Sequence, residues 1–181
     1  MPITIQTVAK YISDDGPDVY VHAERDRCMT NVVAGGAIEI VVEEGGEYLR
    51  FMVRQFGTIK DSPHAAAVQE RLLKLNYDLK LVKACVDNAD GEVMFEIGIP
   101  IEDGELTPKQ VLRGFRAMVM AMHRHGGKLR RLIYTGEWEA DDRDDSLERL
   151  MAEMRERIES GAGFPIPTGS DDPTDDEDED A

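Results

Sequence analysis

From Val93 to Ile101 apolar residues fall on every second position: Val93, Phe95, Ile97, Ile99 and Ile101, with Met94, Glu96, Gly98 and Pro100 between them. A period of two over that length is a strand with one face turned to a core. Such a strand needs hydrogen-bonded neighbours and a second layer over its apolar side, which confines the chain to a layered architecture. Pro100 cannot donate to a ladder and suits the strand's end or an edge.

The neighbours are legible nearby. Residues 79–86 precede the turn Asp87, Asn88, Ala89, Asp90 and supply a strand partner. Upstream, Ile38, Ile40 and Val42 alternate with Glu39 and Val41, Gly45 and Gly46 turn the chain, and Leu49, Phe51 and Val53 alternate with Arg50, Met52 and Arg54. That is a β-hairpin with one buried face. Val19 and Val21 signal a short earlier strand whose end is blurred by the polar residues 24–27.

Helical spacing fills the gaps. Ile5, Val8, Ala9 and Ile12 form a stripe ended by Asp14, Asp15, Gly16 and Pro17, and Val68, Leu72 and Leu75 form another, for which Ser62 is a candidate cap and Pro63 a first-turn residue. Thr107 and Gln110, with Pro108 between, make a capping box for a helix carrying Val111, Leu112, Phe115, Met118, Val119 and Met122, which Gly126 and Gly127 are expected to stop. Residues 129–135 stay unassigned. The fold class is therefore α+β, an antiparallel sheet with helices in the order α-β-β-β-α-β-β-α. A C-terminal helix is expected over 144–158, with Leu147, Leu150, Met151, Met154 and Ile158 on one side.

Charge marks the boundaries. Residues 1–136 carry 17 Lys or Arg against 19 Asp or Glu, residues 137–160 carry 4 against 10, and residues 161–181 carry none against 8. These divide into a nearly neutral domain (1–136), an acidic amphipathic helix extension (137–160) and an acidic tail (161–181). The tail has too little apolar surface to offset ordering entropy and is expected to be disordered. An acidic end repels phosphate, so direct nucleic-acid binding is not expected. No apolar run reaches the ~20 residues a membrane span needs, and the N-terminus lacks a signal-peptide pattern. A cytoplasmic protein without a membrane partner is the expectation, with Cys28 and Cys85 as unpaired thiols.

Catalytic chemistry finds little support. His123 and His125 are two apart and do not share a helix face, so they do not clamp a metal, and they read as histidines complementing a helix C-terminus. The pairs Asp14/Asp15, Asp141/Asp142 and Asp144/Asp145 lack the ligand spacing of a calcium loop. No phosphate-binding glycine loop or nucleophile elbow occurs. No catalytic residue, cofactor or metal is expected.

The sheet's second face is more informative. If the alternating apolar residues face the helices, the other side shows Val41, Met52 and Met94 among Glu39, Arg50, Arg54, Glu92 and Glu96. The candidate protein-binding residues are therefore Val41, Met52, Met94, Arg50 and Arg54, since flexible methionines accept a peptide or a second subunit. An ordinary solvated antiparallel face is the alternative.

Three segments carry a family likeness: 73–79 with Leu75 and Asn76, the strand pair that closes on Asp90, Gly91, Glu92, Val93 and runs to Ile101, and Leu106, Thr107, Pro108, Lys109, Gln110 opening the last core helix. Together they resemble the YbjN family, most clearly over 63–122. The resemblance implies the fold of type III secretion chaperones, which often pair into homodimers and hold segments of partner proteins. YbjN proteins are labelled sensory transduction regulators, a label without chemistry. The expected function is a non-enzymatic chaperone-like or regulatory protein that binds partner proteins of unspecified identity. The alternatives are an adaptor whose acidic arm engages a basic, nucleic-acid-binding protein, and an enzyme whose site follows no recognised pattern.

Overall fold

The computed structural model describes residues 3–32, 36–102 and 104–138. Helix α1 (Ile5–Ser13) starts where the Thr4 hydroxyl accepts the Thr7 amide at 3.3 Å, and it buries Ile5, Val8, Ala9 and Ile12. Four strands follow: β1 (Tyr20–His22), β2 (Arg27–Val32), β3 (Gly36–Glu43) and β4 (Tyr48–Thr58). After α2 (Ala65–Asp78) come β5 (Lys83–Val86) and β6 (Glu92–Pro100), then α3 (Pro108–Ala121) and α4 (Gly127–Thr135), joined by a π-helical segment, Met122–Gly126. The strands form one sheet in the order β1-β2-β3-β4-β6-β5, every neighbouring pair antiparallel. This is the antiparallel α+β architecture expected, with one more strand before α2.

That additional strand is β2. Its inward positions are Cys28 and Thr30, both buried, and neither is apolar enough to reveal the alternation in the sequence. Asp26 makes the turn into it with a left-handed backbone (φ 46°), a conformation that Asp tolerates better than most residues.

The core lies between the sheet's inner face and the helices. Ile38, Ile40, Leu49, Phe51, Val53, Val93, Phe95 and Ile97 meet Val68, Leu72, Val111, Met118, Leu129 and Ile133 in one cluster. Gly114 lets α3 come close: a Cβ there would stand 3.0 Å from the Phe51 ring and 3.3 Å from Ile99. In β4 the inward residues run Leu49, Phe51, Val53 and then Phe56, a step of three where a regular strand steps by two. A bulge between Val53 and Gly57 absorbs the difference and sets Phe56 edge-on to Phe95, ring centres 5.6 Å apart.

Three sequence expectations are corrected. Gly126 and Gly127 do not stop the last core helix; both hold helical angles, and the run continues through α4 to Gly136. Burial of Leu129, Leu132 and Ile133 outweighs the low helix propensity of the two glycines. The true stop is Gly136, left-handed at φ 75°, whose amide donates to Leu132 O at 3.0 Å. Ser62 does not cap α2: its hydroxyl accepts the His64 amide in a turn that precedes the helix. Strand β5 is shorter than 79–86, because Leu79 still closes α2 by donating to Leu75 O at 2.8 Å. The helix expected over 144–158 and the tail 161–181 lie outside the described residues.

Candidate protein-binding face

Register places the outer-face residues in rows that cross the sheet. Tyr20, Met29, Glu39, Met52, Glu96 and Lys83 stand opposite one another in turn from β1 to β5. The next row holds His22, Arg27, Val41, Arg50 and Gly98. Met94 faces Cys85 across β5 and β6, two residues along β6 from Glu96. Val41, Met52, Met94, Arg50 and Arg54 thus share one face. Sequence reading missed Met29, because it missed β2, and Tyr48, whose hydroxyl fills the space a Cβ at Gly98 would need.

The five candidates differ in exposure. Val41, Met94 and Arg50 are half-buried and Arg54 is exposed, whereas Met52 is only 2% exposed and yet stands apart from the core cluster. Charged residues flank it. Arg54 Nη2 lies 3.7 Å from Met52 Sδ, and the flanking residues in its row are Glu39 and Glu96. Glu39 accepts from Arg27 at 2.6 Å and has Arg54 Nε at 3.9 Å; Lys83 donates to Glu96 at 2.7 Å; Arg50 pairs with Glu43. The Lys83 pKa is raised, first by that hydrogen bond and then by the charge of Glu96.

Two donors in this mesh have no partner among the described residues. Arg27 Nε and Arg50 Nε are buried and unbonded, one on each side of Val41. A buried donor without an acceptor carries a desolvation cost, so this row favours an incoming oxygen. The arrangement can grip an apolar side chain beside a carbonyl or carboxylate.

Burial pushes the Cys28 thiol up to about 12 and raises that of Cys85, and three strands separate the two. His123 and His125 lie within the π segment and not at a helix terminus. His125 is half-buried, its Nδ1 has no partner, and its pKa falls to about 4 through burial and then the charges of Arg124, Lys128 and Arg71. It is thus a neutral ring, which corrects the dipole-complementing role expected for it. Among the described residues no cluster of His, Cys, Asp or Glu could hold a metal ion, and no helix is long and apolar enough to cross a membrane.

Comparison with solved structures finds "Crystal structure of YbjN, a putative transcription regulator from E. coli", 14% identical, covering 69% of this chain and 93% of that one at a TM-score of 0.52, a likeness of fold. "Structure of the HopA1-SchA Chaperone-Effector Complex" also matches, 15% identical over 57% of this chain and 77% of that one, at a TM-score of 0.42, too low to establish a shared fold. No curated protein matches the chain. The family model YbjN, described as "Putative bacterial sensory transduction regulator", matches residues 5–131, more than half of the chain. The match spans every element from α1 into α4, and the chain therefore belongs to the YbjN family.

Proposed function

We propose that this protein is a non-enzymatic binding protein that holds segments of partner proteins on the outer face of its sheet. The observation that carries the reading is Met52, buried on the outer face apart from the core cluster, with Arg54 and its contact to Glu39 beside it. The Arg54 contact with Glu39 is long, 3.9 Å, and Arg54 is half exposed, so it contributes about 0–1 kcal/mol at most and little opposes moving Arg54 around a guest. Moving Arg54 aside would open a thioether floor, and Arg27 and Arg50 would supply donors beside Val41. The favoured guest is a segment with an apolar side chain next to an acidic residue or a free carbonyl.

The working unit in this reading is a homodimer formed through α2. Leu73 and Tyr77, one helical turn apart, are 71% and 91% exposed, and Leu81 beyond them is 47% exposed. An apolar stripe is self-complementary under two-fold symmetry.

A displayed random-peptide library panned against the full chain tests the face, with each selected peptide then synthesised and titrated. Binding should weaken at least about tenfold, about 1.4 kcal/mol, in Val41→Glu and in Arg50→Glu. Selected peptides that bind both variants as well as the parent would place recognition elsewhere. A chain that selects no peptide and instead binds a metabolite tightly would end the reading.

A further inference from the structure

One edge of the sheet, at β5, is closed by a side chain of α2. At the other edge lies β1, which pairs with β2 alone. The ladder shows which of its main-chain groups turn outward. Val42 N donates to Asp26 O at 2.9 Å, so alternation makes Cys28 and Thr30 the residues of β2 that hydrogen-bond to β3. Arg27 and Met29 therefore turn their main-chain groups to β1, where they meet His22 and Tyr20. Val21 is left with its N–H and C=O aimed away from the sheet, and among the described residues no main-chain bond outside the ladder engages them. Asp18, Tyr20, Val21 and His22 are all exposed, Tyr20 at 65%. An open edge carrying large apolar side chains is a template for another strand. Pro17 before it and the 3-10 turn Ala23–Arg25 after it limit the template to residues 18–22.

We infer that β1 pairs antiparallel with β1 of a second copy, across a two-fold axis at Tyr20. The occupant is chosen by the edge itself, because Asp18, Val19, Tyr20, Val21 and His22 are complementary to their own reverse. In this register Asp18 faces the other copy's His22, carboxylate against imidazole, and Tyr20 faces its own counterpart. Val19 faces Val21, and these are the residues whose parity turns N–H and C=O outward, so the two strands satisfy each other. The neighbouring registers fail. An axis at Val21 would set Asp18 against Glu24, two like charges, and Val19 against Ala23, where the strand has bent into the turn. An axis at Val19 would set Val21 against Pro17, which has no N–H to give. The pairing joins the six strands of each copy into one sheet, and it sets the two outer rows that contain Met52 end to end through Tyr20. It stands whether or not that face binds a guest, and it is separate from the contact through α2. A contact this short is weak and fills at higher protein concentration than the α2 dimer.

Disulfide trapping in the full chain reads the register. Residues 18, 20 and 22 would form non-hydrogen-bonded pairs, with Cα atoms about 4.5 Å apart and within disulfide reach. Asp18→Cys mixed with His22→Cys, concentrated and mildly oxidised, should give a heterodisulfide at least about fivefold above the homodisulfide of either variant. Tyr20→Cys should couple to itself. Cys28 and Cys85 have raised thiol pKa values and react little, and the parent chain sets the baseline. Adding Val21→Pro removes only an outward N–H, which an edge strand accepts, so the denaturation midpoint should hold while trapping falls to that baseline. Adding Leu73→Glu with Tyr77→Lys should leave the yield unchanged, and a yield lost with that pair would make the contact a by-product of the α2 dimer and overturn the inference. Coupling of Tyr20→Cys to His22→Cys in place of itself would move the axis to Val21 and overturn it as well. So would trapping at the parent's baseline in every variant. In that case a displayed peptide that binds the parent but not Val21→Pro would assign the edge to a partner's strand.

Discussion

Asn76 closes the outer edge of β5 by binding both main-chain groups of Ala84: its Oδ1 accepts the Ala84 amide at 2.7 Å and its Nδ2 donates to the Ala84 carbonyl at 2.9 Å. One side chain from α2 thus does for the last strand what a further strand would do, and it blunts an edge that invites pairing. Asn76→Ala removes both bonds and leaves partly buried groups unmet, at a cost of ~1–3 kcal/mol. Denaturant unfolding should show it as a lower midpoint with an unchanged slope. Asn76→Asp keeps the acceptor and loses the donor, and should be destabilising as well.

The homodimer proposed through the outer side of α2 is tested there. Leu73→Glu combined with Tyr77→Lys changes only exposed positions, so the fold should persist while the mass by sedimentation equilibrium drops from dimer to monomer. A parent chain that is already monomeric at tens of micromolar would remove the homodimer from the proposal.

Gly114 is a packing glycine. Alanine there would gain up to about 1 kcal/mol in helix propensity, but its methyl group would press on Phe51 and Ile99, and overpacking costs ~1–3 kcal/mol. Phe51 is buried in the sheet centre and has little room to yield. Gly114→Ala should therefore lower the thermal midpoint, whereas alanine at Gly127, with nothing within 4 Å, should not.

His125 gives stability a pH dependence of known sign. Its folded pKa, about 4, lies below the ordinary 6.5, chiefly through burial, with Arg124, Lys128 and Arg71 adding repulsion and Asp78 opposing. Between those values the unfolded chain binds more protons than the folded one, so stability rises with pH across the window. The contribution is fully present above 6.5 and is lost as pH falls toward 4. Denaturation midpoints at pH 8 and pH 5 should differ less in His125→Gln than in the parent, and an equal difference would refute the assignment.

The parts of the fold legible in the sequence were those where local chemistry and tertiary need coincide. The alternation through β6 and the Thr107/Gln110 capping box both reappear in the structure, the box with both of its bonds formed. Strand β2 was hidden because its inward residues are Cys28 and Thr30, and α4 was hidden because two glycines look like a stop until Leu129, Leu132 and Ile133 are seen in the core. On the candidate face, parity along β3, β4 and β6 put Val41, Met52 and Met94 together. The charged surroundings of Met52 were not readable, because they depend on the rotamer of Arg54 and on the neighbouring strands that supply Glu39 and Glu96.

The π segment has a consequence for which changes the family member can accept. A π turn is an α-helix holding one residue too many, and each residue along a helix is worth about 100° of rotation. Because the wider turn absorbs that residue, deleting one from Met122–Gly126 would restore regular winding with Leu129, Leu132 and Ile133 still facing the sheet, whereas a further insertion would turn them away and carry Arg131 off Glu137. Side-chain replacement at exposed His123 is mild by comparison. In this stretch, losing a residue is a smaller change than gaining one.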